Sequence, residues 1–147
     1  MSDEIQFQAV GRRKTSSARV MIRPGTGQWS VNGRSLENYF PRKTLRTRVT
    51  EALDATENEG GYDVTVRVQG GGLTGQADAV RLGLARCVVE LDEETRPLLR
   101  SRGLLTRDSR KVERKKPGRP KARKRFQFSK RSFAAQKGHC GRPYGCA

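Results

Sequence analysis

Along the first hundred residues the apolar positions recur with two periods, two residues in some stretches and about 3.6 in others, and the alternation between them predicts a mixed α/β chain. Residues 6–10 alternate, with Ile5, Phe7 and Ala9 sharing one face, and Gly11 is expected to end that strand. A second strand is expected over 18–23. Pro24-Gly25-Thr26-Gly27 reads as a turn, and 28–31 as the return strand of a hairpin. Asn32-Gly33 has the chemistry of another hairpin turn, but no strand pattern follows it, and Ser35 reads better as the cap of a short helix over 36–39.

Residues 42–55 place Leu45, Val49, Ala52 and Leu53 at helical spacing, with Arg42, Lys43, Arg46 and Arg48 largely outside that face. Gly60-Gly61 breaks this helix. Residues 62–69 form a strand with Val64, Val66 and Val68 on one side. Three glycines then lead into a long helix over 73–91, whose apolar set is Ala77, Val80, Leu84, Cys87, Val88 and Leu91. A short helix over 95–101 follows, and beyond it the apolar period ends.

Charge takes over where the period stops. The chain carries 31 Lys and Arg against 15 Asp and Glu, a net charge of +16. Residues 1–100 contribute only +2 of this, and 101–147 contribute +14. A near-neutral body with a basic extension points to a polyanionic partner. The extension has too few apolar groups to offset the entropy of ordering itself, so it is expected to order on that partner. Pro117 and Pro120 make it extended rather than helical. The expected organisation is a globular domain over 1–106, a basic arm over 107–131, and a further stretch over 132–147, expected to be disordered.

The apolar runs are too short for a membrane helix, and the acidic start is neither a secretory signal nor a transit peptide. Three cysteines, Cys87, Cys140 and Cys146, do not make a disulfide framework and suit a reducing cytoplasm.

Gly70-Gly71-Gly72-Leu73-Thr74-Gly75 satisfies the G-x-G-x-x-G pattern between a strand and a helix, with Asp92 at a suitable distance. The context fails it, because no second parallel strand follows and Asp92 sits at a helix end. No P-loop is present. Two readings of the glycines stay open: amides at a helix N-terminus facing an RNA phosphate, or a tight strand-to-helix turn. His139, Cys140 and Cys146 lack the paired spacing of a zinc site. Cys87 reads as a small core residue, and Asp92, Glu93 and Glu94 as a solvated cluster. No catalytic residue, metal site or cofactor is expected.

The nucleic-acid reading gathers what remains. Gly11 to Ser17 place Arg12, Arg13 and Lys14 in a loop among small hydroxyl residues, and 13 of the 25 residues over 107–131 are Lys or Arg. Each phosphate neutralised releases condensed counterions, so binding should weaken steeply with salt. Phe126 and Phe128 interleave with cations, a pairing suited either to stacking on unpaired bases or to anchoring the arm. With no recognition helix, structured RNA is the better partner than a DNA groove. A free nucleic-acid chaperone or DNA-compacting protein would use the same arm, and crosslinks spread over many sites would distinguish it.

Three separated motifs then carry a family resemblance. Gly11-Arg12-Arg13-Lys14-Thr15-Ser16-Ser17-Ala18-Arg19-Val20, the Gly70-Gly71-Gly72 turn with Gly75-Gln76, and Ser101-Arg102-Gly103-Leu104-Leu105-Thr106-Arg107-Asp108 running through to Ser129-Lys130-Arg131 closely resemble bacterial small-subunit ribosomal protein nine, over residues 5–131. The resemblance implies an α+β fold of the ribosomal protein S5 domain 2-like type: a mixed sheet with helices on one face, a left-handed βαβ crossover and a long extended basic C-terminal tail. It implies contacts to small-subunit (16S) ribosomal RNA from Arg12, Arg13, Lys14, Gly71, Gly72, Arg107, Arg110, Lys111, Arg114, Lys115, Lys116, Arg119, Lys121, Arg123, Lys124 and Arg125. Ser129, Lys130 and Arg131 would reach the anticodon stem-loop of the peptidyl-site tRNA. Neighbouring head proteins would be its other partners, with no membrane and no homo-oligomer. The family pattern stops at the position of Arg131, and this chain continues through Ala147.

Overall fold

A computed structural model describes residues 6–56 and 60–128. Ile5, the Ser129-Lys130-Arg131 triplet, the 132–147 stretch and the His139, Cys140 and Cys146 group lie outside the described residues. The chain divides into two compact units, Met1–Arg110 and Lys111–Ala147.

In the first unit the strands β1 (Phe7–Arg13), β2 (Ser16–Pro24), β3 (Trp29–Val31), β4 (Arg34–Ser35) and β5 (Tyr62–Gln69) build one mixed sheet in the order β1-β2-β5-β3-β4. The helices are α1 (Leu36–Tyr39), α2 (Lys43–Asp54), α3 (Leu73–Leu91) and α4 (Arg96–Ser101), with a turn of 3-10 helix at Glu93–Thr95. Period-two alternation decides which side of the sheet is covered. Ala18, Val20 and Ile22 of β2 and Val64, Val66 and Val68 of β5 are all buried, while Arg19, Arg23, Thr65, Arg67 and Gln69 between them are exposed. The long helix α3 packs over β1 and β2, and α2 packs against α3.

The helix face expected from the 3.6 period is the one that is buried. Leu45, Val49, Ala52 and Leu53 of α2 lie in the core, together with Ala77, Val80, Leu84, Cys87 and Val88 of α3. Leu91, expected among them, is only partly covered. Burial pushes the Cys87 thiol up to about 12, offset in part by a hydrogen bond with the Ala9 backbone, and the thiol donates to the Val20 carbonyl at 3.5 Å. It is a core residue.

Three strand expectations are corrected. Gly11 does not end β1, which runs on through Arg12 and Arg13 to a two-residue turn at Lys14-Thr15. Gly11 is a point of close approach: a Cβ there would lie 1.9 Å from the Ala79 carbonyl oxygen and 2.5 Å from the Gly83 nitrogen, so α3 can pack on β1 only over a bare backbone. The motif 11–17 is therefore strand, turn and strand, not a loop.

The second correction concerns pairing. β3 does not return beside β2; β5 lies between them, antiparallel to β2 and parallel to β3. Asp63 at the start of β5 secures the connection, its Oδ1 accepting from the Thr26 and Gln28 amides at 2.9 and 2.8 Å. Asn32 extends the parallel seam beyond Val31, its amide side chain donating to the Val68 carbonyl at 3.1 Å and accepting from the Val68 N–H at 2.9 Å.

Third, Asn32-Gly33 does close a small hairpin between β3 and β4, with φ of 51° and 77° at the turn. Ser35 serves both elements: it pairs with Ser30 and also caps α1, accepting from the Asn38 N–H at 3.4 Å.

Candidate nucleic-acid interface

Two of the three motifs meet at one corner of the first unit. The Lys14-Thr15 turn abuts the glycine turn before α3, where Gly70 and Gly71 have φ of 72° and 65°. A Cβ on Gly70 would lie 2.5 Å from the Thr15 carbonyl oxygen, and one on Gly71 would lie 2.1 Å from the Ser16 hydroxyl. These two glycines are thus required by left-handed backbone and by close packing. Gln76, buried in the first turns of α3, closes the corner: its Nε2 donates to the Gly70 carbonyl at 3.0 Å, and its Oε1 accepts from the Tyr39 hydroxyl at 2.9 Å. Gly72 stands before the first residue of α3, no side chain caps that end, and nothing would obstruct a Cβ at this position.

The third motif joins beside them. Leu99 and Leu104 are fully buried, and the Leu104 amide donates to the Leu99 carbonyl at 3.0 Å. Burying a leucine contributes about 1.5–3 kcal/mol, so residues 99–104 are pinned to the body. Thr106, Arg107, Asp108 and Arg110 then line an open cleft of about 770 Å³ with Arg12, Arg13, Thr44, Arg48, Thr74, Asp78 and Arg81.

Within the cleft the cations take two roles. Arg13, one residue from exposed Arg12 and pointing to the helix side of β1, forms an ion pair with Asp108 at 2.6 Å and approaches Asp78 at 3.7 Å. Its Nη1 also donates to the Asp108 and Arg110 carbonyls at 3.4 and 3.3 Å. Its side chain is only 13 % exposed. Arg110 grips the same carboxylate from the other side, and its hydrogen bonds, with a smaller contribution from Arg13, hold Asp108 well below the usual carboxylate range. Arg48 pairs with Asp78 at 3.2 Å and Arg81 with Glu51 at 3.1 Å, tying α2 to α3. By contrast, Arg12, Lys14 and Arg107 are exposed and make no ion pair among the described residues.

The second unit has little acid with which to neutralise itself. Glu113 takes a forked contact from Arg123 at 2.5–3.1 Å, which lowers the Glu113 pKa and raises that of Arg123. Lys111, Arg114, Lys115, Lys116, Arg119, Lys121, Lys124 and Arg125 form no ion pair among the described residues. The backbone has no helix here, as the prolines require, but it is not extended throughout. It turns at Pro117-Gly118 and bends through 119–123, and the Glu113–Arg123 contact closes that fold-back. Phe126 and Phe128 are 72 % and 98 % exposed.

Sequence reasoning did not anticipate the charge partners of Arg13, nor the Gln76 and Asn32 amides. The one available signal for Arg13 was parity: had β1 been continued past Gly11, Arg13 would have fallen on the buried face with Ala9. Among the described residues no helix is long and apolar enough to cross a membrane, and no group of His, Cys, Asp and Glu could hold a metal ion.

A family described as Ribosomal protein S9/S16 matches residues 11–131. A small ribosomal subunit protein uS9 from Azobacteroides pseudotrichonymphae is 56 % identical over 84 % of this chain and 96 % of its own length. Those from Gemmatimonas aurantiaca and Christiangramia forsetii are 56 % and 55 % identical, over 86 % and 83 % of this chain and 98 % and 95 % of their own.

Proposed function

The chain belongs to the ribosomal protein S9 family, and from that premise we propose that it docks on 16S ribosomal RNA in the head of the small subunit and sends its basic arm toward the peptidyl-site tRNA. It is a structural, noncatalytic constituent of the small subunit, at work in the cytoplasm. The fold reads as ribosomal protein S5 domain 2-like, with a crossover from β3 through β4, α1 and α2 to β5 that the family implies is left-handed; the parallel β3–β5 pair supports the crossover.

One observation carries the RNA reading. The first unit satisfies Arg13, Arg46, Arg48 and Arg81 with its own carboxylates, yet among the described residues it leaves Arg12 and Arg107 on the cleft, and Lys14 at the β1–β2 turn, exposed and without an ion pair. Exposed cations left without internal partners are available to phosphates. Arg12, Lys14 and Arg107 supply those contacts from the body, and the unpaired cations over 111–125 supply the rest. Arg13 and Arg110 hold the root of the arm instead, through Asp108. Gly72 leaves the α3 amides open to a phosphate, while Gly71 shapes the turn. Ser129, Lys130 and Arg131 are the proposed tRNA contacts, a reading supported by the family match, which runs to Arg131.

The test is crosslinking of the chain in purified small subunits at moderate salt. A few fixed sites in head RNA, and one in the tRNA anticodon stem from residues 129–131, are expected. A broad distribution over RNA and DNA, or a protein found only off the ribosome, would replace this reading with that of a free chaperone. Intact mass of the ribosomal protein shows whether Arg131 is followed by residues 132–147.

A further inference from the structure

The face of the sheet turned away from α2 and α3 holds two arginines in direct opposition. Arg19 of β2 and Arg67 of β5 are register partners in the antiparallel β2–β5 ladder. Both are exposed, and neither forms an ion pair or hydrogen bond among the described residues. Directly opposed side chains have Cβ atoms about 5 Å apart, and like charges in that relation oppose folding. Several arginines on the helix side of this unit do have partners: Arg46 and Arg48 reach carboxylates, and Arg86 donates to the Val10 carbonyl at 2.6 Å. Asp63, the acid on the same face of β5, is engaged at the strand's far end with the Thr26 and Gln28 amides. The Arg19–Arg67 pair therefore stands as directly opposed like charge with no carboxylate against it among the described residues.

We propose that this open face is a second RNA-docking surface, separate from the cleft and the arm, in which Arg19 and Arg67 together clamp the phosphate backbone. The neighbouring side chains suit that occupant. Ser17, Thr65 and Gln69 are hydrogen-bonding groups, Val10 opposite Arg19 and Met21 opposite Thr65 are the apolar residues beside the pair, and no aromatic side chain, the usual anchor of a protein–protein interface, stands in these rows. Two guanidinium forks about one strand spacing apart on a rigid sheet can grip a phosphate bidentately, and the phosphate removes the repulsion between them. The proposal rests on the ribosomal RNA reading above and extends it to two cations that line neither the cleft nor the arm.

The test uses the full chain carrying Arg19→Thr and Arg67→Thr, singly and together, with transcribed small-subunit head RNA as the probe. Thr is a good strand former, so each variant should melt at the wild-type temperature or about 2 °C above it. RNA affinity should fall, and the slope of log affinity against log salt should shrink by about one per arginine removed. Arg19→Lys with Arg67→Lys keeps the charge and provides the readout if the Thr pair fails to fold: the slope stays while affinity drops, because the fork is lost. Folded Thr variants with wild-type affinity and slope would overturn the proposal. So would variants that bind naked RNA normally yet fail to enter subunits when the other proteins are present, since the face would then meet an acidic protein. If wild-type chain does not bind head RNA at all, the underlying ribosomal reading fails along with it.

Discussion

The two units use the same two residue types, lysine and arginine, in opposite ways. The first unit surrounds many of its arginines with carboxylates: Arg13 with Asp108 and Asp78, Arg48 with Asp78, Arg81 with Glu51. Among the described residues the second has one such pair, Arg123 with Glu113, and a series of cations with none. Composition alone would assign all of them to phosphate. The difference teaches that adjacency in a basic motif says little about role: Arg12 and Arg13 are neighbours, yet one is exposed and the other holds Asp108. What separates them is strand parity, which sends successive side chains to opposite faces.

The largest expected effect comes from removing one side of this contrast. Deleting residues 111–147 should leave a cooperatively folding first unit, because its core and the Arg13–Asp108 contact lie within Met1–Arg110. RNA affinity in moderate salt should fall by roughly a thousandfold, with a salt slope smaller by several. Urea unfolding and salt titration of the truncated chain check both halves; loss of cooperative unfolding would show that the arm belongs to the core.

A substitution inside the body should do the reverse. Gly11→Ala drives a Cβ into the Ala79 carbonyl and the Gly83 amide, neither of which can move without shifting α3. Destabilisation of about 3 kcal/mol, the upper end for overpacking, is expected in urea. The salt slope of the folded fraction should not change, since no cation is touched. A stability equal to wild type would mean that α3 does not sit on β1 as closely as described.

The smallest effect sharpens the boundary between the two uses of charge. Asp108 is held low mainly by hydrogen bonds from Arg110, with Arg13 adding to it. A depressed carboxylate contributes stability that is fully present above its unfolded pKa of about 3.9 and is lost as pH falls through the folded value. Titration by carbonyl NMR should therefore place the Asp108 midpoint below about 3.9, and Arg110→Ala should raise it more than Arg13→Ala does. A wild-type midpoint at the unfolded value would remove the clasp.

How much of this was legible beforehand depended on whether the information was local. The strand 62–69 and the helix 73–91 matched to the residue, and α2 to within one at each end, because each has a long apolar face whose period fixes both type and burial. The β2–β3 hairpin failed because a turn signal cannot say which strand comes to lie alongside. β5 carries alternating valines and has room for partners on both edges, and it took the place between β2 and β3. The glycines at 70 and 71 could be read as a phosphate cradle or a turn; contact with Thr15 and Ser16, more than fifty residues away in sequence, was needed to show what their bare backbones accommodate.

The sequence by itself determined the long elements, β5, α2 and α3, with the covered face of each, and the contrast in charge between the near-neutral first hundred residues and the basic stretch that follows. Those follow from side-chain period and charge density, which need no long-range partner. Only the tertiary structure decided which strands pair, why Gly11 must lack a side chain, and which cations remain free. Each depends on atoms brought together from distant parts of the chain: α3 against β1, Asp108 against Arg13, Arg67 opposite Arg19.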